Sequence, residues 1–174
     1  MTRYIDHHNQ ELLMNTAVVD GDFVLASGRK AKQKFEFDNI STNPQLLKMA
    51  TAAVSRCIQN EYSQPDAIVT VARGATCMGG YLESMVGRRH VRTDYIDSEN
   101  GKQFYILDDI QPGEEVVVID DVYTSGTNSG KVIDELLKRG AVPLGVAVLL
   151  NRSEDISPRC RSLTVRYAIY RALS

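Results

Sequence analysis

The run Val116-Val117-Val118-Ile119 does most to limit the folds open to this chain. Four consecutive β-branched residues leave no polar face, so the strand they form must be covered on both sides. Similar apolar runs recur at Ala67-Ile68-Val69-Thr70-Val71, at 144–150 and at 163–169, and 91–96 is a further strand candidate. Stretches of helical character lie between them. Asn43 can cap a helix that Pro44 opens, with Leu46, Leu47, Ala50, Val54 and Ile58 on its apolar face. Residues 74–86 read as a second helix, and 129–139 as a third, ended by Gly140. Strand and helix in alternation predict an α/β fold: a central, mainly parallel sheet with helices on both faces. Such sheets bind ligands beyond the carboxyl ends of their strands, which directs attention to the loops after Val71, Ile119 and Leu150.

The 174 residues suit one domain with a single sizeable core. Residues 9–19 read as a short amphipathic helix. Phe23-Val24-Leu25 and Lys34-Phe35-Glu36-Phe37 read as strands about the turn Ser27-Gly28-Arg29. Asn100-Gly101 is a hairpin signal, with Phe104-Tyr105-Ile106-Leu107 returning. A formal net charge of −2 argues against a general nucleic-acid binder. No apolar run approaches the roughly 18 residues that span a bilayer, and the first eight residues lack a signal peptide's apolar stretch. The expectation is a cytoplasmic protein with no membrane partner. Cys57, Cys77 and Cys160 are scattered and unpaired in sequence, so they are expected to be packing residues; His7 and His8 are expected in a frayed terminus.

The central strand leads into Asp120-Asp121-Val122-Tyr123-Thr124-Ser125-Gly126-Thr127-Asn128, after which a helix begins. A helix N-terminus offers unpaired N–H groups and partial positive charge to a phosphate. Gly126 lets the backbone approach the anion, and the hydroxyls of Thr124, Ser125 and Thr127 add donors. Asp120 and Asp121 would repel a phosphate set beside them, but suit sugar hydroxyls or a Mg²⁺ ion. The implied ligand carries a phosphate next to a ribose. An ATP-type phosphate loop is excluded, because Val132 stands where that loop needs Ser or Thr and the glycines are one residue too close.

This segment resembles the phosphoribosyl pyrophosphate signature of type I phosphoribosyltransferases. The resemblance implies that Asp120 and Asp121 serve the ribose and Mg²⁺ as catalytic and metal residues, and that Thr124, Ser125, Gly126, Thr127 and Asn128 wrap the 5′-phosphate. Ala72-Arg73-Gly74 is similar to the family's pyrophosphate loop, with Arg73 pairing with the leaving group. Within the family the orotate enzymes are nearest. Phe23 to Lys30 is similar to a segment near their start, which implicates Lys30 and then Phe35 at the base. Arg152 matches the arginine that meets the orotate carboxylate, although Asn151 replaces the usual Asp. The resemblance spans roughly residues 10–170. It implies one domain over 1–174, with a small N-terminal hood over about 1–40 and a core over about 41–174. It also implies a homodimer with phosphoribosyl pyrophosphate and a nucleobase as substrates.

One stretch departs from the family. Orotate enzymes carry a basic mobile loop where this chain has 92–102, with Asp94, Asp97 and Glu99 in it. Only Arg92 and Lys102 keep positive charge there, and Arg88, Arg89 and His90 lie just upstream as substitutes. Acids beside a departing pyrophosphate would oppose the reaction unless the loop points elsewhere. Orotate is the leading acceptor. A purine or other base, and a non-catalytic sensor of phosphoribosyl pyrophosphate, are the alternatives.

Overall fold

The computed structural model describes residues 4–24, 30–99, 101–152 and 163–170. The expected turn at 27–29, Asn100 and Cys160 lie outside the described residues. In chain order the elements are α1 (His7–Ala17), β1 (Val18–Val24), β2 (Lys30–Phe35), α2 (Asp38–Ser41), α3 (Pro44–Glu61), β3 (Ala67–Thr70), α4 (Thr76–Val86), β4 (Arg89–Ser98), β5 (Gly101–Ile106), β6 (Glu115–Tyr123), α5 (Thr127–Lys138), β7 (Val142–Asn151) and β8 (Thr164–Tyr170).

Six strands form one sheet in the order β5-β4-β3-β6-β7-β8. Every neighbouring pair is parallel except β4 and β5, which form an antiparallel hairpin at one edge. Strand residues point alternately to the two faces, so β6 feeds two cores. Val117 and Ile119 join Ile68, Ala147 and Leu149 beneath α1, α3 and α4. Val116 and Val118 join Val69, Val146 and Val148 against Val132, Ile133 and Leu136 of α5. The sheet is therefore covered on both faces, as the unbroken β-branched run required.

At the N-terminus β1 and β2 form a separate two-stranded antiparallel sheet. Leu13, Met14 and Ala17 of α1, with Phe35, Phe37 and Ile40, belong to the same buried cluster as α3. The N-terminal segment thus shares a core with the layer it covers. The α3 start follows its sequence signal: Asn43 Oδ1 accepts from the N–H groups of Gln45 (3.0 Å) and Leu46 (3.2 Å), with Pro44 in the first turn.

Several element boundaries differ from expectation by a few residues. The first helix stops at Ala17, because Val18 and Val19 pair with Phe35 and Lys34 across the small sheet. His7 and His8, expected in the terminus, lie in the first turn of that helix, where His7 faces Glu11. The central strand runs past Ile119 to Tyr123, since β7 continues to Asn151 and pairs it to the end. The acidic pair thus belongs to the strand itself.

Candidate active site

Asp120 and Asp121 sit at the carboxyl end of β6, in adjacent positions that face opposite sides of the strand. Asp120 is buried, and its Oδ2 accepts from the Ser129 hydroxyl at 2.7 Å. Its Oδ1 accepts from the Asp121 N–H at 3.1 Å. Burial, and then the neighbouring Asp121 charge, push the Asp120 carboxyl well above the usual range. Asp121 is half-buried, and burial raises it as well.

The chain then turns through exposed Thr124 and Ser125 to Gly126, whose φ of 69° is left-handed. A Cβ on Gly126 would also collide with the ring of Tyr123, so glycine is required twice at this position. Gly126 is the N-cap of α5 and offers no capping side chain. Ser125 and Thr127 hydroxyls share a 2.8 Å hydrogen bond, and both residues are exposed together with Asn128. The first turn of a twelve-residue helix, ringed by small hydroxyls, thus faces outward at the end of an acidic strand.

The Ala72-Arg73-Gly74 loop lies beside this turn. β3 pairs with β6, and the Val71 N–H donates to the Ile119 carbonyl at 2.8 Å, one residue before the acids. The Ala72–Arg73 peptide is cis. The Ala72 N–H donates to the Thr93 hydroxyl (3.0 Å), which donates to the Thr70 carbonyl (2.8 Å). Gly74 packs so closely on the Asp121 carboxylate that a Cβ there would have no room. Arg73 is exposed; its Nε donates to Asp94 Oδ1 at 3.1 Å, and its guanidinium lies 4.7 Å from the centre of the Tyr95 ring.

The third loop end is Asn151-Arg152. The Arg152 N–H donates to the Tyr123 carbonyl (2.9 Å), and its guanidinium reaches the Gln33 carbonyl on β2 at 3.4 Å. Arg152 therefore bridges the end of β7 to the N-terminal sheet. Lys30 opens β2 and is exposed. Phe35, expected over the base, needs correction: it is 7% exposed and packs in the core with α1 and α3, because its strand position points inward.

Residues 92–98 and 101–102 lie in the antiparallel β4–β5 hairpin that the sequence predicted. Arg92 pairs with Asp108, Thr93 is buried, and Asp94 is paired with Arg73. The Lys102 ammonium sits 3.9 Å from the Tyr95 ring centre. Arg89, offered as a substitute cation, binds Glu114 and the Asp109 carbonyl at the amino end of β4, the wrong end of the sheet for this site. Cys57 is buried as expected, but Cys77 is exposed in the first turn of α4. Ser129, Thr93, Asp94 and Tyr95 were not among the expected site residues. Asp94 was visible as an acid in the wrong place, whereas the others carry no local signal.

Among the described residues, no three His, Cys, Asp or Glu side chains come together as a metal cage. The donors that are present are two adjacent carboxylates, each raised by burial. Hard oxygen donors of that kind, without a closed cage, fit a Mg²⁺ ion that keeps water and substrate phosphate in its shell. No helix among the described residues is long and apolar enough to cross a membrane.

The chain is similar to known proteins in sequence and in fold. The orotate phosphoribosyltransferase of Desulforamulus reducens is 32% identical over 140 residues, which are 79% of this chain and 70% of that protein. The crystal structure of orotate phosphoribosyltransferase from Aeropyrum pernix superposes with a TM-score of 0.79 at 23% identity, covering 93% of this chain and 92% of that one. Adenine phosphoribosyltransferase from Thermoanaerobacter pseudethanolicus gives a TM-score of 0.75 at 13% identity, over 93% and 99% of the two chains. Both of these are likenesses of fold. Residues 36–165 match the phosphoribosyl transferase domain, and with most of its length inside that match the chain belongs to the phosphoribosyl transferase domain family.

Proposed function

We propose that this protein moves the 5-phosphoribosyl group from phosphoribosyl pyrophosphate to orotate, giving orotidine 5′-monophosphate and pyrophosphate. The observation that carries the reading is the meeting of three loop ends: Asp121 against Gly74, α5 opening beside them, and Arg152 at the end of the next strand. In this scheme the first-turn N–H groups of α5, with Thr124, Ser125, Gly126, Thr127 and Asn128, hold the 5′-phosphate. Asp121 and Asp120 accept hydrogen bonds from the ribose hydroxyls. Arg73 pairs with the pyrophosphate oxygens, and the Ala72 and Gly74 backbone shapes the loop beneath them. Arg152 meets the orotate carboxylate through a planar fork, and Lys30 flanks the base.

The step is displacement at the anomeric carbon: the bond to pyrophosphate breaks with its electron pair leaving on the pyrophosphate oxygen, a base nitrogen forms the new bond with its lone pair, and the proton that nitrogen carried passes to solvent. The protein contributes orientation and charge, and no side-chain nucleophile is required. Asp120 and Asp121 would hold Mg²⁺, which when bound supplies positive charge to the departing pyrophosphate. The upward shift of both carboxyls favours this role, since a cation or hydroxyl donors relieve two crowded carboxylates, one buried and one half-buried.

A homodimer and a cytoplasmic location belong to the same proposal. They rest on the family likeness and on an unexceptional composition with a net charge of −2. The test is a base panel: orotate, hypoxanthine, guanine and adenine, each with phosphoribosyl pyrophosphate and Mg²⁺. Nucleotide formed from orotate alone is the expected result. Nucleotide formed only from a purine removes the orotate assignment, and binding of phosphoribosyl pyrophosphate without turnover on any base marks a sensor.

A further inference from the structure

An acid next to a diphosphate site is unfavourable unless its charge is already engaged. Asp94 meets that condition. One of its oxygens, Oδ1, accepts two hydrogen bonds at once, from the Tyr95 N–H at 2.8 Å and from the Arg73 Nε–H at 3.1 Å. The Tyr95 N–H, and then Arg73, hold the Asp94 carboxyl below the usual carboxylate range, so it stays ionised. The Arg73 guanidinium lies over the Tyr95 ring. Tyr95 in turn leans on Phe104, a buried residue of β5, with ring centres 5.4 Å apart. A line of contacts thus runs from the core through Phe104 and Tyr95 to Arg73, with Asp94 fixing Nε.

Resting on the phosphoribosyl pyrophosphate reading above, we propose that Asp94, backed by Tyr95, is a positioning residue for Arg73 in the pyrophosphate loop. The Arg73 side chain is 68% exposed, and a long cation so placed would otherwise sample many rotamers. Anchoring through Nε leaves the donors of both terminal nitrogens for a phosphate, in the planar fork that pairs with two oxygens. Asp94 sets the plane of that fork before the ligand arrives, and the ring of Tyr95 supports it. The acid at 94 therefore organises a cation instead of opposing the leaving group.

Two effects of Asp94 have opposite signs on binding: its charge repels the ligand, and its Oδ1 orders Arg73. They separate cleanly in two variants. Asp94→Asn and Asp94→Ala remove the same charge, but only Asn keeps an oxygen that accepts from both Tyr95 and Arg73. Binding of phosphoribosyl pyrophosphate with Mg²⁺ is to be measured by calorimetry on the full chain, with each variant also made on an Arg73→Ala background. Positioning predicts that Asp94→Ala binds about fivefold more weakly than Asp94→Asn, and that this ratio falls to about one without Arg73. The Arg73 Nε–H resonance should be resolved in the parent and in Asp94→Asn, and lost in Asp94→Ala. Equal affinities for the two variants, or an unchanged ratio without Arg73, overturn the proposal while leaving the functional reading intact. A parent protein that does not bind the ligand at all overturns that reading, and this one with it.

Discussion

The carboxylate of Asp121 fills the space that a side chain at Gly74 would take: its Oδ2 lies 2.5 Å from where a Cβ on residue 74 would stand. The acidic end of β6 and the loop after β3 are thus fitted to each other. Gly74→Ala would force the Asp121 carboxylate to rotate away, while the strands beneath, paired through Thr70 and Ile119, remain in place. We expect kcat/KM for phosphoribosyl pyrophosphate to fall at least tenfold, about 1.4 kcal/mol, with a small change in Tm. A large loss of Tm with normal kcat/KM in the remaining folded protein would contradict it.

Asp120 should trade stability for activity. A carboxyl raised in the folded state supports folding while protonated, and opposes it as pH rises beyond its unfolded pKa of about 4. Asp120→Asn removes that opposition, and the Ser129 hydroxyl can accept from an amide as readily as it donates to a carboxylate. Without Mg²⁺ or substrate, the variant should gain on the order of 1 kcal/mol at pH 7, roughly 2–4 °C in Tm. The gain should vanish toward pH 4. Turnover should fall more than tenfold. Thermal melts across pH, paired with an activity assay, read both.

Arg152 is expected to serve the base and not the sugar. Arg152→Lys keeps the charge but loses the planar fork. KM for orotate should rise about 10-fold to 100-fold, the worth of a charge-assisted pair. KM for phosphoribosyl pyrophosphate should change little, because the phosphate loop stands on a separate helix. Steady-state kinetics with each substrate varied in turn distinguish this from a general loss.

The Arg92–Asp108 pair sets an acid limb. Arg92 donates to Asp108 through its side chain and its backbone N–H, and this lowers the Asp108 pKa to about 2. A carboxyl lowered on folding stabilises above its unfolded pKa, and the benefit is lost as pH falls from about 4 toward 2. Asp108→Asn should therefore lower stability at pH 7, and show less further loss between pH 4 and pH 2 than the parent. Urea titrations at three pH values test it. The effect should be small, because the pair is partly exposed.

Much of the fold was legible because its signals are local. A run of β-branched residues prefers an extended backbone whatever surrounds it, and Asn43-Pro44 caps a helix within its own first turn. The strand at 116–119, the helix from Pro44 and the hairpin about Gly101 all appear where the residues predict them. The phosphate-loop candidate was equally legible, since Asp120 to Asn128 are contiguous. Where expectation failed, the deciding partner was distant. β6 runs on to Tyr123 because β7 pairs it there, and Phe35, paired with Val18, faces the core it shares with α1 and α3.

Side-chain chemistry that depends on one residue, or on a few in a row, was determined by the sequence alone: two carboxylates, a glycine with left-handed freedom, a helix that begins beside them. Tertiary structure alone decided which of the remaining charges reach that place. Asp94 reads as an obstacle in the chain and proves to be a partner of Arg73, whereas Arg89, equally basic, is carried to the opposite end of the sheet. The physical reason is that a parallel sheet assigns each residue to one of its two ends by strand register. Register is set by burial along the whole strand, so a local reading of charge cannot supply it.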